Sequence, residues 1–334
     1  MQASFSKYIL NFKTPAGTSR GVLDTKETFI LEISENGKKG IGECSIFRGL
    51  SYDDVPEYEN KLQWLVDHIN IDEKEIHSQL LHFPSIWFGY EQAITNLKQS
   101  SNIYFPSEFT EDEKSIKING LIWMGDATFM REQIEEKLEK GFTCIKLKIG
   151  VNWNSEREIL REIRKDFPAE RIELRVDANG GFTKEESQKV LQELFELQIH
   201  SIEQPIKAGN WKDMAQLCKN TPTPIALDEE LIGIIDTSEK IKLLESIQPP
   251  YIILKPTLVG GFKGTDEWIQ LAEERNIGWW ITSALESNIG LNAIAQYTYT
   301  KKNKMPQGLG TGSLFTNNFE SSLELNGENL YFKK

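Results

Sequence analysis

Five charged residues, Lys148, Asp177, Glu203, Asp228 and Lys255, each close a short run rich in Ile, Val and Leu, at successive intervals of 29, 26, 25 and 27 residues. One strand, one helix and the turns between them take about that length of chain. A chain that repeats such a unit closes into a (β/α) barrel, whose strands all end at one mouth. The pattern therefore reads as α/β, with three carboxylates and two or three lysines gathered in one cup. Side chains alternate along a strand, so in the run Leu174–Phe182 the residues Arg175, Asp177 and Asn179 leave one face, and Leu174, Val176 and Ala178 the other. The paired glycines Gly180 and Gly181 end the run.

The alternation predicts strands at 116–123, 143–149, 172–178, 202–204, 225–228, 251–255 and 278–283. Helices are expected between and after them, at 126–140, 155–165, 184–197, 211–218, 237–246, 264–275 and 289–298. An eighth unit, around 306–312, is short. A barrel takes about 200 to 250 residues, so a chain of 334 residues has room for a second domain. Residues 1–45 read as a β-meander, with Asn36-Gly37 as a tight hairpin turn and Gly40 and Gly42 as points of close backbone packing. From 56 to 100 the apolar residues recur at helical spacing, and Glu91 falls on the apolar stripe, as a buried, hydrogen-bonded carboxylate. Residues 101–114 read as a linker, and 314–334 as strands returning to the first domain. The expected division is an α+β capping domain at 1–114 with the tail 314–334, and a barrel at 115–313. Two polar loops, 14–21 and 47–53, carry Arg20 and Arg48; most such loops are only surface, and the two arginines are lesser candidates for ligand contact.

A net charge of -12 and a pI of about 5.1 argue against a broad grip on nucleic acid or an anionic membrane. A small anion responds instead to the local field of lysines and a metal. Cys44, Cys144 and Cys218 are too far apart for a paired metal motif and odd in number, which suits a reducing compartment. With neither a leader-like amino end nor an apolar run of about 18 residues, the expected location is cytoplasmic. His68, His77 and His82 lack metal-ligand spacing.

Asp177, Glu203 and Asp228 offer oxygen donors without sulfur or imidazole, a set suited to Mg²⁺ or Mn²⁺ rather than Zn²⁺. Single acids at strand ends usually cap helices or pair with lysines, but three in successive units are poorly explained that way. Lys146 and Lys148 share one strand face, and Lys255 arrives from across the barrel. A lysine hemmed in by other cations is disposed to act as a base near neutrality. A carboxylate-bound dication facing such a base suits removal of a weakly acidic proton next to a substrate carboxylate.

Lys-x-Lys at 146 and 148, Asp-x-Asn at 177 and 179, Glu203-Gln204-Pro205, Asp228-Glu229, and Lys255 followed by Gly260-Gly261 resemble the muconate-lactonizing subgroup of the enolase superfamily. Such sites pair a lysine or histidine base with Mg²⁺. The resemblance implies an enolase-type modified TIM barrel under an α+β cap. No histidine stands in 281–287, unlike the mandelate-racemase subgroup. Within the lysine subgroup, the segments 283–293 and 307–312, and Arg175 two before the first acid, resemble the o-succinylbenzoate synthase family most. That resemblance implies a dehydration in menaquinone biosynthesis, with Lys148 as base, Lys255 as a stabilising charge and Asp177, Glu203 and Asp228 on Mg²⁺. It leaves Arg175, Lys146, Asn179, Gly260, Gly261 and Ser283 to place the substrate carboxylates. An N-acylamino acid racemase or dipeptide epimerase uses the same lysines, and the catalytic residues do not separate the two. Thr282-Ser283-Ala284 lacks the paired acids that would grip a dipeptide's ammonium group.

Overall fold

In this computed structural model, residues 1–18, 21–99, 101–111 and 114–333 are described. Strands β1 (Gln2–Thr18) and β2 (Gly21–Glu35) pair antiparallel from Gln2↔Ser34 to Thr18↔Gly21, with a register shift between Asn11 and Ala16. The described residues of 14–21, expected as a loop, are therefore strand. Gly17 and Thr18 lack apolar alternation, but the ladder pairs them with Val22 and Gly21. Asn36 and Gly37 turn the chain with φ of 51° and 78°, as a two-residue hairpin requires, into β3 (Lys38–Cys44).

Three helices lie on this sheet: α1 (Tyr58–Asp67), α2 (Glu73–Leu80) and α3 (Pro84–Gln99). Helix α3 meets β3 backbone to backbone. A Cβ on Gly42 would stand 2.0 Å from the Gly89 carbonyl oxygen, and one on Gly40 2.0 Å from that of Ala93. The side chains of Gln92 and Asn96 then bond the β3 backbone at Glu43 and Ile41. Phe29, Leu31, Leu62, Leu65 and Trp87 fill the space around this contact.

Residues 101–111 are packed, not a free linker. Tyr104 and Phe109 are buried, and the side chain of Gln296 accepts from the N–H groups of Tyr104 and Phe105 at 2.8 and 3.0 Å. The run expected as one strand at 116–123 divides into β4 (Ile116–Lys117) and β5 (Gly120–Ile122), which belong to different sheets. The barrel continues with α4 (Ala127–Glu139), β6 (Cys144–Lys148), α5 (Trp153–Asp166), β7 (Glu173–Asp177) and α6 (Lys184–Glu196). Next come β8 (Ser201–Glu203), α7 (Trp211–Asn220), β9 (Ile225–Leu227), α8 (Thr237–Ile247) and β10 (Tyr251–Leu254). The short α9 (Pro256–Val259) precedes α10 (Gly261–Glu273), β11 (Gly278–Ile281) and α11 (Asn288–Thr300).

Strands β5 to β11 form one parallel sheet in sequence order, as successive βα units dictate. The short eighth unit supplies bridges in place of a strand. Gln307 pairs with Ile118 on one side and Gly308 with Thr282 on the other, which joins the two sheet edges. The tail makes β12 (Leu323–Asn326) and β13 (Asn329–Phe332), which pair with β4 and not with the meander. Alternating apolar residues in the tail reveal strands but not their partner. Contact with β1 is left to the preceding segment, through Phe12↔Phe315 and the Thr316 N–H on the Asn11 carbonyl. No helix among the described residues is long and apolar enough to cross a membrane.

Candidate active site

Strand register builds the row of charges. Lys148 is the cross-strand partner of Asp177, and Asp177 that of Glu203. Glu203 pairs with Ala226, so Asp228, two residues further, leaves the same face of its strand at the mouth. Lys255 directly follows β10 and begins the short helix α9. All five are at most slightly exposed: Asp177 at 0%, Glu203 and Asp228 at 2%, Lys148 at 8%, and the Lys255 side chain at 11%. Charges buried so deeply persist only when paired.

The pairing is dense. The Lys148 ammonium donates to Asp177 Oδ2 at 2.8 Å and to Asn179 Oδ1 at 2.7 Å. Lys146 donates to Glu203 Oε2 at 2.7 Å and lies 3.4 Å from Asp177 Oδ2. Lys255 donates to Asp228 and stands 3.7 Å from Glu203 Oε1. Burial alone would raise the Asp177 carboxyl, but Lys148, Lys146 and Lys255 outweigh it and hold the group well below the usual carboxylate range. Burial likewise pulls Lys146 and Lys255 down, and the facing carboxylates more than offset this, so both ammonium groups are raised. Asp228 is pushed upward by burial, against the pull of Lys255, with Glu229 and Glu203 adding repulsion.

A cavity opens above this row, with Lys146, Lys148, Asp177, Asn179 and Lys255 in its wall. The rest of its lining includes Phe47 and Leu50 from the loop after β3, Trp123 after β5, and Ser283 to Leu285 after β11. Trp123 lies under the Lys148 ammonium at 5.9 Å, and Gln133 of α4 bonds both its N–H and its carbonyl. The Ser283 hydroxyl stands 2.6 Å from that of Thr311. The site thus joins an apolar chamber to a strongly ionic floor.

Residues 129–326 match the family described as enolase C-terminal domain-like. The chain is 43% identical to the o-succinylbenzoate synthase of Desulfotalea psychrophila, over 98% of each chain. It belongs to the o-succinylbenzoate synthase family. The crystal structure of MenC from the same organism superposes with a TM-score of 0.89 at 40% identity, over 99% of each chain. An L-Ala-D/L-amino acid epimerase of a Maribacter species is more distant, 25% identical over 89% of this chain and 86% of its own. Membership in the synthase family also settles the architecture, an enolase-type (β/α) barrel with a capping domain.

Enzymes of the superfamily use a divalent metal, and the synthase-family residues of this chain fit one by donor type. Asp177, Glu203 and Asp228 offer hard oxygens, and Glu203 Oε1 is buried with no hydrogen-bond donor upon it. Among the described residues, no three acidic, imidazole or thiol groups already stand at coordinating spacing. Lys146 lies between Asp177 and Glu203, and Lys255 between Glu203 and Asp228. Donor chemistry is the firmer guide, because lysine carries its charge on a flexible four-carbon stem.

Three residues expected at the substrate do not line the cavity. Arg175 is 1% exposed, one layer deeper than Asp177 on β7, bonded to Glu173 and the Pro306 carbonyl and stacked 4.3 Å from the Trp280 ring. Gly260 and Gly261 have φ of 99° and 72°, and a Cβ on Gly261 would meet Glu91 Oε2 at 2.0 Å. Their conformation lets the Glu91 carboxylate reach the Phe262 and Lys263 N–H groups at 2.6 and 3.1 Å. Arg48 is engaged by Glu27 and Asp54 and is absent from the lining, while Arg20 lies outside the described residues.

Trp123 is absent from the sequence candidates, and Gln204 enters them only within the Glu203-Gln204-Pro205 motif, without a role of its own. Trp123 ends an apolar run and carries no polar mark. Gln204 accepts from the Asp228 and Glu230 N–H groups at 3.2 and 3.3 Å, so it fixes the backbone that bears the third acid. Gln204 adopts φ of 40° there, a conformation that the sequence does not announce.

Proposed function

We propose that this chain is an o-succinylbenzoate synthase, dehydrating 2-succinyl-6-hydroxy-2,4-cyclohexadiene-1-carboxylate to 2-succinylbenzoate in the cytoplasm, on the route to menaquinone. What carries the reading is that Lys148 and Lys255 line one cavity together with Asp177, in a chain that aligns end to end with a synthase. Lys148 takes the proton from the ring carbon next to the carboxylate. Lys255 balances the negative charge that develops as the proton leaves. The ring hydroxyl departs and, with the proton that Lys148 took, makes one water; the ring becomes aromatic. Lys146, Asn179 and Ser283 orient the substrate's carboxylates, and Trp123, Phe47 and Leu50 exclude water from the ring. Asp177, Glu203 and Asp228 would hold the divalent cation, Mg²⁺ with Mn²⁺ as a substitute, which supplies Lewis-acid stabilisation to oxygens gaining charge.

The test is to mix the protein and Mg²⁺ with the cyclohexadiene carboxylate and follow the aromatic product, while a second sample holds N-succinyl amino acids in D₂O. Product in the first tube and no α-deuterium in the second is the expected result. Deuterium alone would assign the chain to racemases, which use two lysines on opposite faces of one carbon.

A further inference from the structure

A buried carboxylate outside the catalytic row lies where the cap meets the barrel. Glu43 of β3 is 0% exposed, yet its carboxylate reaches across to the segment that follows β11. Oε1 accepts from the Thr28 hydroxyl at 2.8 Å and from the Ser287 N–H at 3.0 Å. Oε2 accepts from the Ser287 hydroxyl at 2.6 Å and from the Gly290 N–H at 2.9 Å. Four donors, three of them at the start of α11, therefore converge on one side chain of the other layer. Gly290 is what admits it: a Cβ there would stand 2.7 Å from Glu43 Oε2.

The capped segment is also a wall of the cavity. Thr282, Ser283, Ala284 and Leu285 line it, and Leu285 is held at φ of 64°, a left-handed conformation that an ordinary side chain disfavours. Strain of this kind persists only where the surroundings enforce it. Here the Glu286 carboxylate grips the Ala284 N–H at 2.6 Å on one side of Leu285, and Glu43 grips Ser287 on the other. The Lys26 charge acts on both carboxylates, while its ammonium donates to Ser45 at 2.6 Å. The Ser45 carbonyl in turn accepts from Thr257, two residues beyond Lys255.

We infer that Glu43 is a positioning residue: a carboxylate of the cap that, with Glu286, holds the 282–285 wall in its strained, substrate-receiving form. It touches neither substrate nor metal ligands, so its removal loosens binding more than chemistry. Glu91 provides an internal contrast. It also extends from the cap to the start of a barrel helix, α10, but the residues it fixes, Phe262 and Lys263, do not line the cavity. The inference rests on the proposed synthase reading only for the choice of substrate.

Glu43→Gln and Glu91→Gln are compared with the native protein by steady-state kinetics and by amide hydrogen exchange of the 282–290 segment. Kinetics use the cyclohexadiene carboxylate or, if the native protein fails to turn it over, an N-succinyl amino acid. Loss of synthase turnover in the native protein thus overturns the proposed function without touching this inference. Glu43→Gln is expected to raise KM at least tenfold, with kcat within threefold and exchange at 284–290 about tenfold faster. Glu91→Gln is expected to lower the unfolding midpoint and leave KM within twofold. The inference is overturned by an unchanged KM or unchanged exchange in Glu43→Gln, by a loss confined to kcat, or by an equal rise of KM in Glu91→Gln. Should Glu43→Gln fail to fold, Ser287→Ala, which removes one donor, is expected to show the same split at about threefold, and its absence would equally overturn the inference.

Discussion

Lys148 and Asp177 are cross-strand partners on β6 and β7, and the ammonium of the first lies 2.8 Å from Oδ2 of the second. The side chain proposed to remove the substrate proton is thus held by one of the acids proposed to bind the metal, so base and cation site share a rigid strand pair. Such a base must be placed to a fraction of an ångström, and a strand ladder does this better than a loop. Lys148→Ala is expected to reduce kcat by about 10²–10⁴-fold, the range for a positioned proton-transfer group. Circular dichroism should show the barrel intact, and undiminished turnover would remove Lys148 from the mechanism.

Burial pushes the Glu286 carboxyl up to about 7 from its usual value of 4.5, with Glu43 adding to the shift and Lys26 opposing it. The native state therefore binds more protons than the unfolded chain between about pH 4.5 and 7. By linkage, stability from this group falls as pH rises through that window and is constant beyond it. Glu286→Gln removes the titration, so its stability relative to the native protein should rise between pH 4.5 and 8 by on the order of 2 kcal/mol. Urea unfolding at the two pH values measures this, and a difference that does not change with pH would show Glu286 to be ionised throughout.

Gly42 lets α3 lie directly on β3, since an added methyl would stand 2.0 Å from the Gly89 carbonyl oxygen. Neither backbone can yield without breaking a ladder or a helix. Gly42→Ala is expected to cost about 1–3 kcal/mol, the usual penalty of overpacking. Because the displaced β3 also carries Glu43, KM should rise along with the loss of stability. Thermal unfolding and kinetics on one preparation test both, and an unperturbed melting temperature would contradict the close packing.

Trp123 forms an apolar wall beneath the Lys148 ammonium and is fixed by Gln133 at both ends of its peptide. Trp123→Ala opens the chamber to water and is expected to raise KM for the ring substrate by about tenfold, a loss near 1.4 kcal/mol of apolar contact. A KM unchanged within twofold would place the ring elsewhere.

The barrel was legible because period and polarity agree: five of its seven strands are compact apolar runs closed by one charged residue, about one βα unit apart. The five ionic residues could be read for the same reason, since alternation along a strand fixes which face each leaves. What escaped is what alternation cannot encode. Arg175 lies on the right face but one layer too deep, because depth depends on barrel stagger, which involves several strands. Gly260 and Gly261 announced unusual backbone but not its cause, a Glu91 carboxylate brought from 170 residues away, as Phe262 marks with a separation of 171. The hairpin across 14–21 and the pairing of the tail with β4 depend on partners that local pattern does not name. Trp123 had no polar neighbour in sequence to distinguish it from core.

The central claim is that three acids from successive strands share one divalent cation beside Lys148. Anomalous diffraction from a crystal soaked in Mn²⁺ tests it directly. A single strong peak is expected, bounded by Asp177, Glu203 and Asp228, within reach of the Lys148 side of the cavity. A peak elsewhere, or none at these three carboxylates when the enzyme is active in the same Mn²⁺ solution, would contradict it.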